Sequence, residues 1–305
     1  MMKPVDRLMS RALAEKVFPG AVVLVSQNGS VRFQKAFGQA NIFDSCPVTL
    51  DTVFDLASLT KPLATSLAVM HLVHKERLRL SQPVGSLLAP FNTPDKAALR
   101  LEHLLSHTSG YPDYRPYYLA LSKLPQAQRR EHLHTLLAAE PLQSAPGSRV
   151  CYSDLGFMIL QWVVETLAEQ RLDKFVTQSI YRPLGIDRLF FIDQDRPRPE
   201  AAYAATEVCP WRRILLQGTV HDENTYALGG VGGHAGLFGD VVAIHRLLLK
   251  LARAYSAHDA CNFFAPGVVR RFFERYQDHP MALGFDVPAA NGSSAGNYFS
   301  RNSIG

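Results

Sequence analysis

The sequence predicts an α+β fold, with an antiparallel hairpin near the start of the chain, a helical insertion in the middle and a further strand near the end. Residues 21–27 and 31–37 are apolar stretches around Asn28-Gly29, a strong hairpin signal because both turn residues tolerate positive φ. Helical periodicity dominates from residue 58 to about 180, and a short strand is expected over 282–287. Strands at both ends with helices between them favour this class over an alternating βαβ series.

The remaining elements follow from periodicity and from residues that start or stop helices. A short amphipathic helix is expected near residues 4–16, and a longer one begins at Ser58, where apolar residues recur three or four positions apart. The stretch 183–239 is rich in Pro and Gly and is predicted to be mixed and loop-rich. A helix follows over 241–255, with Asp240 as its N-cap.

The composition is that of an ordinary soluble globular protein, with 47% hydrophobic and 19% charged residues. A length of 305 residues suits a single domain, predicted over 1–305, with a helix-rich subdomain over 80–180. The net charge of +5 is mild, and the Lys and Arg residues are scattered. These features argue against a nucleic-acid partner.

No signal peptide or membrane span is apparent in the sequence. The first seven residues mix acidic and basic side chains, and no later stretch is apolar over a bilayer's width. We therefore expect a cytoplasmic protein, or a periplasmic one if a leader has been removed. The four cysteines lack a C-x-x-C pair and are expected to be free thiols: Cys46, Cys151, Cys209 and Cys261.

The first motif with chemical potential is the S-x-x-K arrangement of Ser58 and Lys61, which on a helix places both side chains on one face. A lysine nitrogen near the hydroxyl can accept its proton or stabilise its anion, and a helix N-terminus offers N–H groups to an oxyanion. Pro62 supports a helix start at Ser58. Taken alone, the motif is weak, because such pairs usually face solvent on ordinary helices.

The second motif, Tyr152-Ser153-Asp154, opens an apolar helix. A phenol held close to Ser58 and Lys61 can take the serine proton as a phenolate. In the structural alternative, Ser153 or Asp154 caps the helix and Tyr152 packs in the core. The two roles are compatible, so Asp154 can serve both.

Four segments in this order carry a resemblance to a known family: Phe54 to Lys61, His103 to Gly110, Tyr152 to Asp154, and Gly233 to Phe238. Over nearly the whole chain, the sequence resembles the serine β-lactamase-like, penicillin-binding-protein-like family. This group contains class C β-lactamases, D-alanyl-D-alanine carboxypeptidases and esterases. The resemblance implies a β-lactamase/transpeptidase-like fold with a sheet flanked by helices beside an all-helical region.

The resemblance also implies a serine hydrolase that forms an acyl-enzyme on a β-lactam, a D-amino acid peptide or an ester. Ser58, Lys61 and Tyr152 would be catalytic, with Asp154 and His234 in support. The expected partner is a small molecule with an amide, lactam or ester carbonyl, and no metal or organic cofactor is implied. The sequence leaves open whether Lys61 or Tyr152 is the general base, which substrate is used and what the oligomeric state is.

The sequence departs from the family pattern in two places. Asp154 stands where the family usually has Asn, and a carboxylate there favours the ammonium form of Lys61, which is a poorer base. The family's Lys/His-Thr/Ser-Gly triplet on a strand is not found. The segment from His234 to Gly236 is followed by Asp240 and a helix instead of a strand, so a glycine-rich loop is predicted there.

In relatives of this kind, the triplet follows a segment similar to Tyr298–Gly305. This comparison leads us to expect a C-terminally truncated chain that lacks the last strands of the sheet. Because open sheet edges and uncovered apolar faces are destabilising, such a chain is expected to aggregate, to recruit another chain, or to be a weak hydrolase.

Two other motif matches are interpreted as loops. Gly292 to Gly296 fits G-x-S-x-G, but no His or Asp follows it, as a nucleophile elbow of the α/β-hydrolase type would require. Residues 230–236 approach a dinucleotide-binding fingerprint, yet the last glycine is misplaced by one position.

Two alternative functions stay open. A metal-dependent hydrolase is suggested by two histidine pairs spaced three and four apart on expected helices, namely His71 with His74 and His103 with His107, although no H-E-x-x-H motif is present. A non-catalytic or weakly acylating penicillin-binding or sensor module would keep the same fold without turnover.

Overall fold

The computed structural model describes residues 3–257, 263–277, 279, 281–289, 293 and 296–305. Its α-helices are α1 (Lys3–Ala14), α2 (Leu67–His74), α3 (Leu101–Leu105), α4 (Tyr118–Leu121), α5 (Gln126–Ala139), α6 (Asp154–Ala168), α7 (Leu172–Val176), α8 (Glu223–Ala227), α9 (Val241–Tyr255) and α10 (Pro266–Phe273). Its strands are β1 (Gly20–Gln27), β2 (Ser30–Asn41), β3 (Cys46–Pro47), β4 (Phe54–Asp55), β5 (Leu189–Phe191), β6 (Ala205–Cys209), β7 (Ile214–Gln217) and β8 (Leu237–Gly239).

These strands form three small antiparallel sheets, ordered β1-β2-β3, β4-β8-β5 and β6-β7. The predicted α+β class with antiparallel pairing is therefore confirmed. The strands are divided among small sheets and do not form the one sheet that was expected. β4, β5 and β8 are only two or three residues long.

The N-terminal hairpin forms where the sequence predicts it. β1 and β2 pair from Gly20 opposite Gly38 to Gln27 opposite Ser30. Asn28 and Gly29 occupy the turn with φ values of 51° and 78°, so both positions need the left-handed region that Asn and Gly tolerate. Helix α1 packs against β2 and α9 packs against β1.

The chain between β4 and β5 folds into helices, 3₁₀ and π turns, and loops. Its central element is α6, where the spacing of Leu155, Ile159 and Val163 places three fully buried side chains on one face. Helices α2, α3 and α7 pack around α6. The resulting hydrophobic cluster extends to α9 and α10, so the helices on both sides of the small sheets share one core.

The sheet β4-β8-β5 determines where the motifs meet. β4 pairs antiparallel with β8, with Phe54 opposite Gly239 and Asp55 opposite Phe238. The C-terminal end of β4 therefore lies beside the N-terminal end of β8. Because Ser58 follows β4 and the glycine-rich segment 230–236 precedes β8, the fold brings both to the same end of this sheet.

The strand predicted over 282–287 is wrong. Met281 and Asp286 form an isolated bridge around a tight loop. Gly284 has a φ of 80°, and a Cβ added there would lie 1.8 Å from the Ser66 hydroxyl oxygen. Residues 282–287 thus form a loop that packs against the helix after Ser58. The pattern of apolar residues in this segment does not predict such a loop.

The prediction for the segment after His234 is partly wrong. Asp240 caps α9 as expected, since its carboxylate accepts the N–H of Ala243 at 2.8 Å. A helix was expected to follow the glycine-rich loop without a strand, yet β8 lies between them. Backbone pairing with β4 and β5 stabilises a strand too short for a periodicity signal.

Candidate active site

Ser58 lies in a strained turn directly after β4. The preceding residue, Ala57, has a φ of 45°, an unusual left-handed conformation for a residue with a Cβ. The carboxylate of Asp55 holds this turn by accepting the N–H of Ala57 at 2.9 Å and that of His221 at 2.7 Å. Burial raises the pKa of Asp55, while these two hydrogen bonds act in the opposite direction.

The helix predicted to begin at Ser58 is present but irregular. Ala57–Leu59 form a 3₁₀ turn and Lys61–Ser66 form a π-helical turn that continues into α2. Pro62 lies in the first turn, as its lack of an N–H allows. Single π turns are frequent at functional sites, because they rotate side chains out of the regular helical positions.

Lys61 connects the motifs. Its side chain is only 3% exposed, and Nζ donates hydrogen bonds to Ser58 Oγ at 3.1 Å, Asp154 Oδ1 at 2.7 Å and the carbonyl oxygen of His234 at 3.2 Å. An ammonium group has three donors, and these three acceptors use all of them. The contacts therefore fit a charged Lys61 that donates to the serine oxygen.

Asp154 and Ser153 divide the two roles that the sequence left open. Ser153 is the N-cap of α6, and its hydroxyl accepts the N–H of Gly156 at 3.4 Å. Asp154 is the first residue of α6 and pairs with Lys61. Because the cap is supplied by its neighbour, the Asp154 carboxylate can pair with the ammonium.

Tyr152 is the open member of the group, with 45% of its surface exposed. Lys61 Nζ lies 4.7 Å from its ring centroid, within the range of a cation–π contact. Within the described residues, the Tyr152 hydroxyl makes no direct hydrogen bond, so its role as proton acceptor for Ser58 stays a prediction.

His107 supports Tyr152 from below, a role that the sequence did not predict. The two rings stack with centroids 4.4 Å apart, and His107 Nδ1 accepts the N–H of Ser153 at 3.0 Å. Burial, assisted by the charge of Lys61, lowers the pKa of His107 to about 3. The ring is therefore neutral at pH 7, and its proton is on Nε2 because Nδ1 is an acceptor.

His234 and Asp222 form a second buried pair beside Lys61. His234 Nε2 lies 2.9 Å from Asp222 Oδ1, and the His234 side chain is 1% exposed. Burial would raise the pKa of the Asp222 carboxyl, but His234 and the N–H of Thr225 hold it well below its usual range. Asp222 was missed in the sequence, where its only signal was its position as N-cap of α8.

The glycine-rich segment is fixed by side chains from two helices. The N–H of Gly233 donates to Gln161 at 2.8 Å, and its carbonyl accepts the Thr65 hydroxyl at 2.6 Å. A Cβ at Gly233 would lie 2.3 Å from the carbonyl oxygen of Phe157, so only glycine allows this approach to α6. The approach brings the next residue, His234, within reach of Lys61.

A cavity of about 260 Å³ opens above these groups. Ser58, Lys61 and Tyr152 line it together with apolar side chains, among them Leu59 and Phe285. A nucleophile, a buried cation and a phenol thus face one space, with apolar surface available for a substrate.

One group of side chains in the described residues could bring metal-ligand atoms together. Single atoms of Asp154, Asp222 and His234 lie within 4.8 Å of one another. Lys61 Nζ already pairs with Asp154, and His234 Nε2 with Asp222, so a cation there would face the ammonium. The residues fit the Lys61–Asp154 ion pair and the His234–Asp222 hydrogen bond better than a metal centre.

The two histidine pairs that suggested a metal enzyme have other partners. His74 Nδ1 accepts the N–H of Ala265, and His71 packs against aromatic rings. His103 Nδ1 accepts the N–H of Arg100 at the start of α3, while His107 belongs to the Tyr152 stack.

The cysteine prediction is consistent with the described part of the chain. Cys46, Cys151 and Cys209 are free. Cys261 lies outside the described residues, as do most positions of the Gly292 to Gly296 motif. Among the described helices, none combines the length and the apolar character required to span a bilayer.

A family model for Beta-lactamase matches residues 5–295. The chain therefore belongs to the β-lactamase family, and the resemblance inferred from the motifs is confirmed. A relative from Escherichia coli (strain K12), named "Putative D-alanyl-D-alanine carboxypeptidase", is 32% identical over 314 residues, which cover 93% of this chain and 72% of the relative. The family and this relative support a function of the serine hydrolase type.

Solved structures confirm the fold. The octameric penicillin-binding protein homologue from Pyrococcus abyssi has a TM-score of 0.75 at 20% identity, covering 93% of this chain. The chain spans 64% of the length of that homologue. EstCE1, a hydrolase with promiscuous acyltransferase activity, has a TM-score of 0.71 at 24% identity, with 93% of this chain and 82% of EstCE1 covered. At these identities, the similarity establishes the fold alone.

Proposed function

We propose that this protein is a serine hydrolase that forms an acyl-enzyme on Ser58, with Lys61 and Tyr152 as its catalytic partners. The observation that carries the proposal is the buried Lys61 ammonium, 3.1 Å from the Ser58 oxygen and engaged at all three of its donors. A cation fixed at this distance stabilises negative charge on the serine oxygen as its proton leaves.

In the proposed acylation, Ser58 Oγ forms a bond to the substrate carbonyl carbon, and the carbonyl electron pair moves to oxygen. Because an ammonium has no lone pair, Tyr152 as phenolate takes the serine proton. Tyr152 then passes this proton to the leaving nitrogen or oxygen as the bond between that atom and the carbonyl carbon breaks. Its ring stacks on His107, lies beside the Lys61 ammonium, and lines the same cavity as Ser58.

In deacylation, Tyr152 accepts a proton from water as the water oxygen bonds to the acyl carbon. The bond between that carbon and Ser58 Oγ then breaks, Tyr152 returns the proton to Ser58 Oγ, and the product leaves as a carboxylic acid. Asp154 and His234 support these steps by holding Lys61 through a carboxylate and a backbone carbonyl.

For the substrate, we propose a small molecule with an amide, lactam or ester carbonyl. The name of the Escherichia coli relative favours a peptide that ends in a D-amino acid. The side chains of Leu59 and Phe285 offer apolar surface to the acyl part of such a substrate, next to the carboxyl group of Asp286.

A second candidate is a weakly acylating sensor module. It is favoured by one observation: the Tyr152 hydroxyl lacks a hydrogen-bond partner among the described residues, so proton transfer to water could be slow after Ser58 is acylated. Stoichiometric labelling of Ser58 without steady-state hydrolysis would identify this function.

The test is covalent labelling with a fluorophosphonate and a fluorescent penicillin, followed by intact mass measurement and peptide mapping. We expect one adduct per chain, on Ser58, and none on Ser58→Ala. Ser86→Ala is a suitable control because Ser86 is an exposed serine that bonds only to the carbonyl of Pro83. Label on another serine, or undiminished label on Ser58→Ala, would refute the proposal. Hydrolysis of a chromogenic ester, a cephalosporin and a D-alanyl-D-alanine peptide then separates the enzyme from the sensor.

A further inference from the structure

The pair formed by Asp222 and His234 has no chemical step in the mechanism above, although it lies against Lys61. The polar contacts of the His234 ring are all at Nε2: Asp222 Oδ1 at 2.9 Å and the Thr225 hydroxyl at 3.4 Å. Nδ1 is buried without a hydrogen-bond partner among the described residues. The ring orientation therefore depends chiefly on Asp222.

The backbone of His234 contacts Lys61 directly. The Lys61 ammonium donates to the His234 carbonyl oxygen at 3.2 Å, the longest of its three hydrogen bonds. Glycines flank this residue closely, with Gly233 before it and Gly236, whose φ is 108°, two positions after it. Hydrogen bonds to Gln161 and Thr65 already fix the backbone at Gly233, and the His234 ring held by Asp222 adds a further restraint on the orientation of this carbonyl.

Asp222 is in turn linked to the nucleophile turn. The residue before it, His221, donates its N–H to Asp55, and the same carboxylate accepts the N–H of Ala57 next to Ser58. Asp222 also accepts the N–H of Thr225 at 2.7 Å, which fixes it at the start of α8. Hydrogen bonds, linked through the peptide bond between His221 and Asp222 and through His234 itself, thus join the Ser58 turn to the carbonyl that contacts Lys61.

We propose that Asp222 is a positioning residue of this site: by holding the His234 ring, it fixes the carbonyl that holds Lys61 beside Ser58. The inference rests on the proposed function for its catalytic consequence, while its geometric part concerns only Lys61 and His234. Without Asp222, the ring loses its principal partner, the carbonyl moves, and Lys61 is held only by Asp154 and Ser58.

The variants separate positioning from helix capping. Asp222→Ser keeps a hydroxyl that can cap α8, as Ser commonly does, but is too short to reach His234. Asp222→Asn keeps both the cap and an acceptor for Nε2. Asp240→Ser is the matched control, because Asp240 also caps a helix and forms a buried ion pair, with Arg188, away from the cavity.

The kinetic measurement is the rate constant for fluorophosphonate labelling of Ser58, with thermal unfolding to confirm folding. We expect Asp222→Ser to slow labelling about tenfold to 100-fold, as displacements of about 1 Å in an active site can do. Asp222→Asn should recover most of the loss, and Asp240→Ser should label at the parent rate. A folded Asp222→Ser that labels as fast as the parent, or an equal loss in Asp240→Ser, would overturn the inference.

The structural measurement does not depend on activity. A crystal structure of Asp222→Ser should show Lys61 Nζ and the His234 carbonyl oxygen beyond hydrogen-bonding distance. An unchanged separation would overturn the inference even if Ser58 is labelled. If the parent protein is not labelled on Ser58, the proposed function fails, and the crystal structure alone decides the role of Asp222.

Discussion

The two sides of the candidate site differ in how firmly they are held. The buried side consists of Lys61, Asp154, Asp222 and His234, which form ion pairs and hydrogen bonds with one another. The open side consists of Leu59 and Tyr152, which are 47% and 45% exposed. The charged groups are thus fixed on one side, whereas the other side presents a solvent-exposed phenol whose ring is held by His107 and Lys61. This division suits a reaction in which a buried cation stabilises charge and an exposed phenol transfers protons.

Removing the cation should have the largest effect. Lys61→Met should slow Ser58 acylation about 10⁴-fold, the upper range for one proton-handling group. The substitution should also lower the free energy of unfolding by about 1–3 kcal/mol, because Asp154 loses its partner. Labelling kinetics and urea unfolding measure the two effects.

Lys96→Met is the matched control for this experiment. Lys96 is also a buried lysine, whose Nζ donates to the carbonyl of Ala138 at 2.8 Å and pairs with Asp95. The Lys96→Met variant should be less stable than the parent and should retain the parent labelling rate. Equal slowing in both variants would mean that the effect of Lys61 reports general destabilisation.

On the open side, the hydroxyl of Tyr152 should matter for rate and not for stability. Tyr152→Phe should slow acylation about 10²-fold, since the proton acceptor is lost. Its melting temperature should stay at the parent value, because no hydrogen bond of the described residues is removed.

Tyr203→Phe provides the opposite pattern. The Tyr203 hydroxyl donates to the carbonyl of Pro199 at 2.7 Å, so its loss should cost about 1 kcal/mol without slowing acylation. A Tyr152→Phe variant that labels at the parent rate would remove the phenol from the mechanism.

Changing the charge of Asp154 should have a smaller effect than removing its acceptor. In Asp154→Asn, the amide oxygen can still accept from Lys61, so the labelling rate should stay within about tenfold of the parent. Asp154→Leu removes the acceptor, so its Ser58 should be labelled much more slowly than that of Asp154→Asn. Similar rates in both variants would show that the Asp154 oxygen does not hold Lys61.

A further effect concerns stability at low pH. The folded pKa of His107, about 3, lies below its unfolded value near 6.5, so the neutral ring stabilises the fold fully above pH 6.5. This stabilisation decreases as pH falls from 6.5 toward 3, because the unfolded chain binds the proton first.

His107→Asn should therefore flatten the pH dependence. Asn tolerates the positive φ of 56° at this position and can accept the N–H of Ser153. Between pH 7 and pH 5, the parent should lose about 2 kcal/mol more than the variant in urea unfolding. An identical loss in both proteins would contradict a buried neutral His107.

The sequence was most informative where chemistry depends on local spacing. Ser58 and Lys61 are three residues apart on one helix, and that spacing alone predicts their proximity. Asp222 gave no such signal, because its partner His234 lies 12 residues further along the chain, beyond α8 and within the glycine-rich segment, where no helical or strand periodicity relates the two. The failed strand over 282–287 has a similar cause, since Gly284 turns the chain to fit against Ser66. Long-range contacts of this kind leave little trace in local periodicity.

The central claim is that the buried cation and the open phenol act as one unit on Ser58. A double-mutant cycle with Lys61→Met and Tyr152→Phe tests it most directly, with the rate constant of Ser58 acylation as the measured quantity. If the two groups act together, the double variant should be no more than about threefold slower than Lys61→Met alone. If the two effects multiply, Lys61 and Tyr152 act independently, and the account of a single concerted site is wrong.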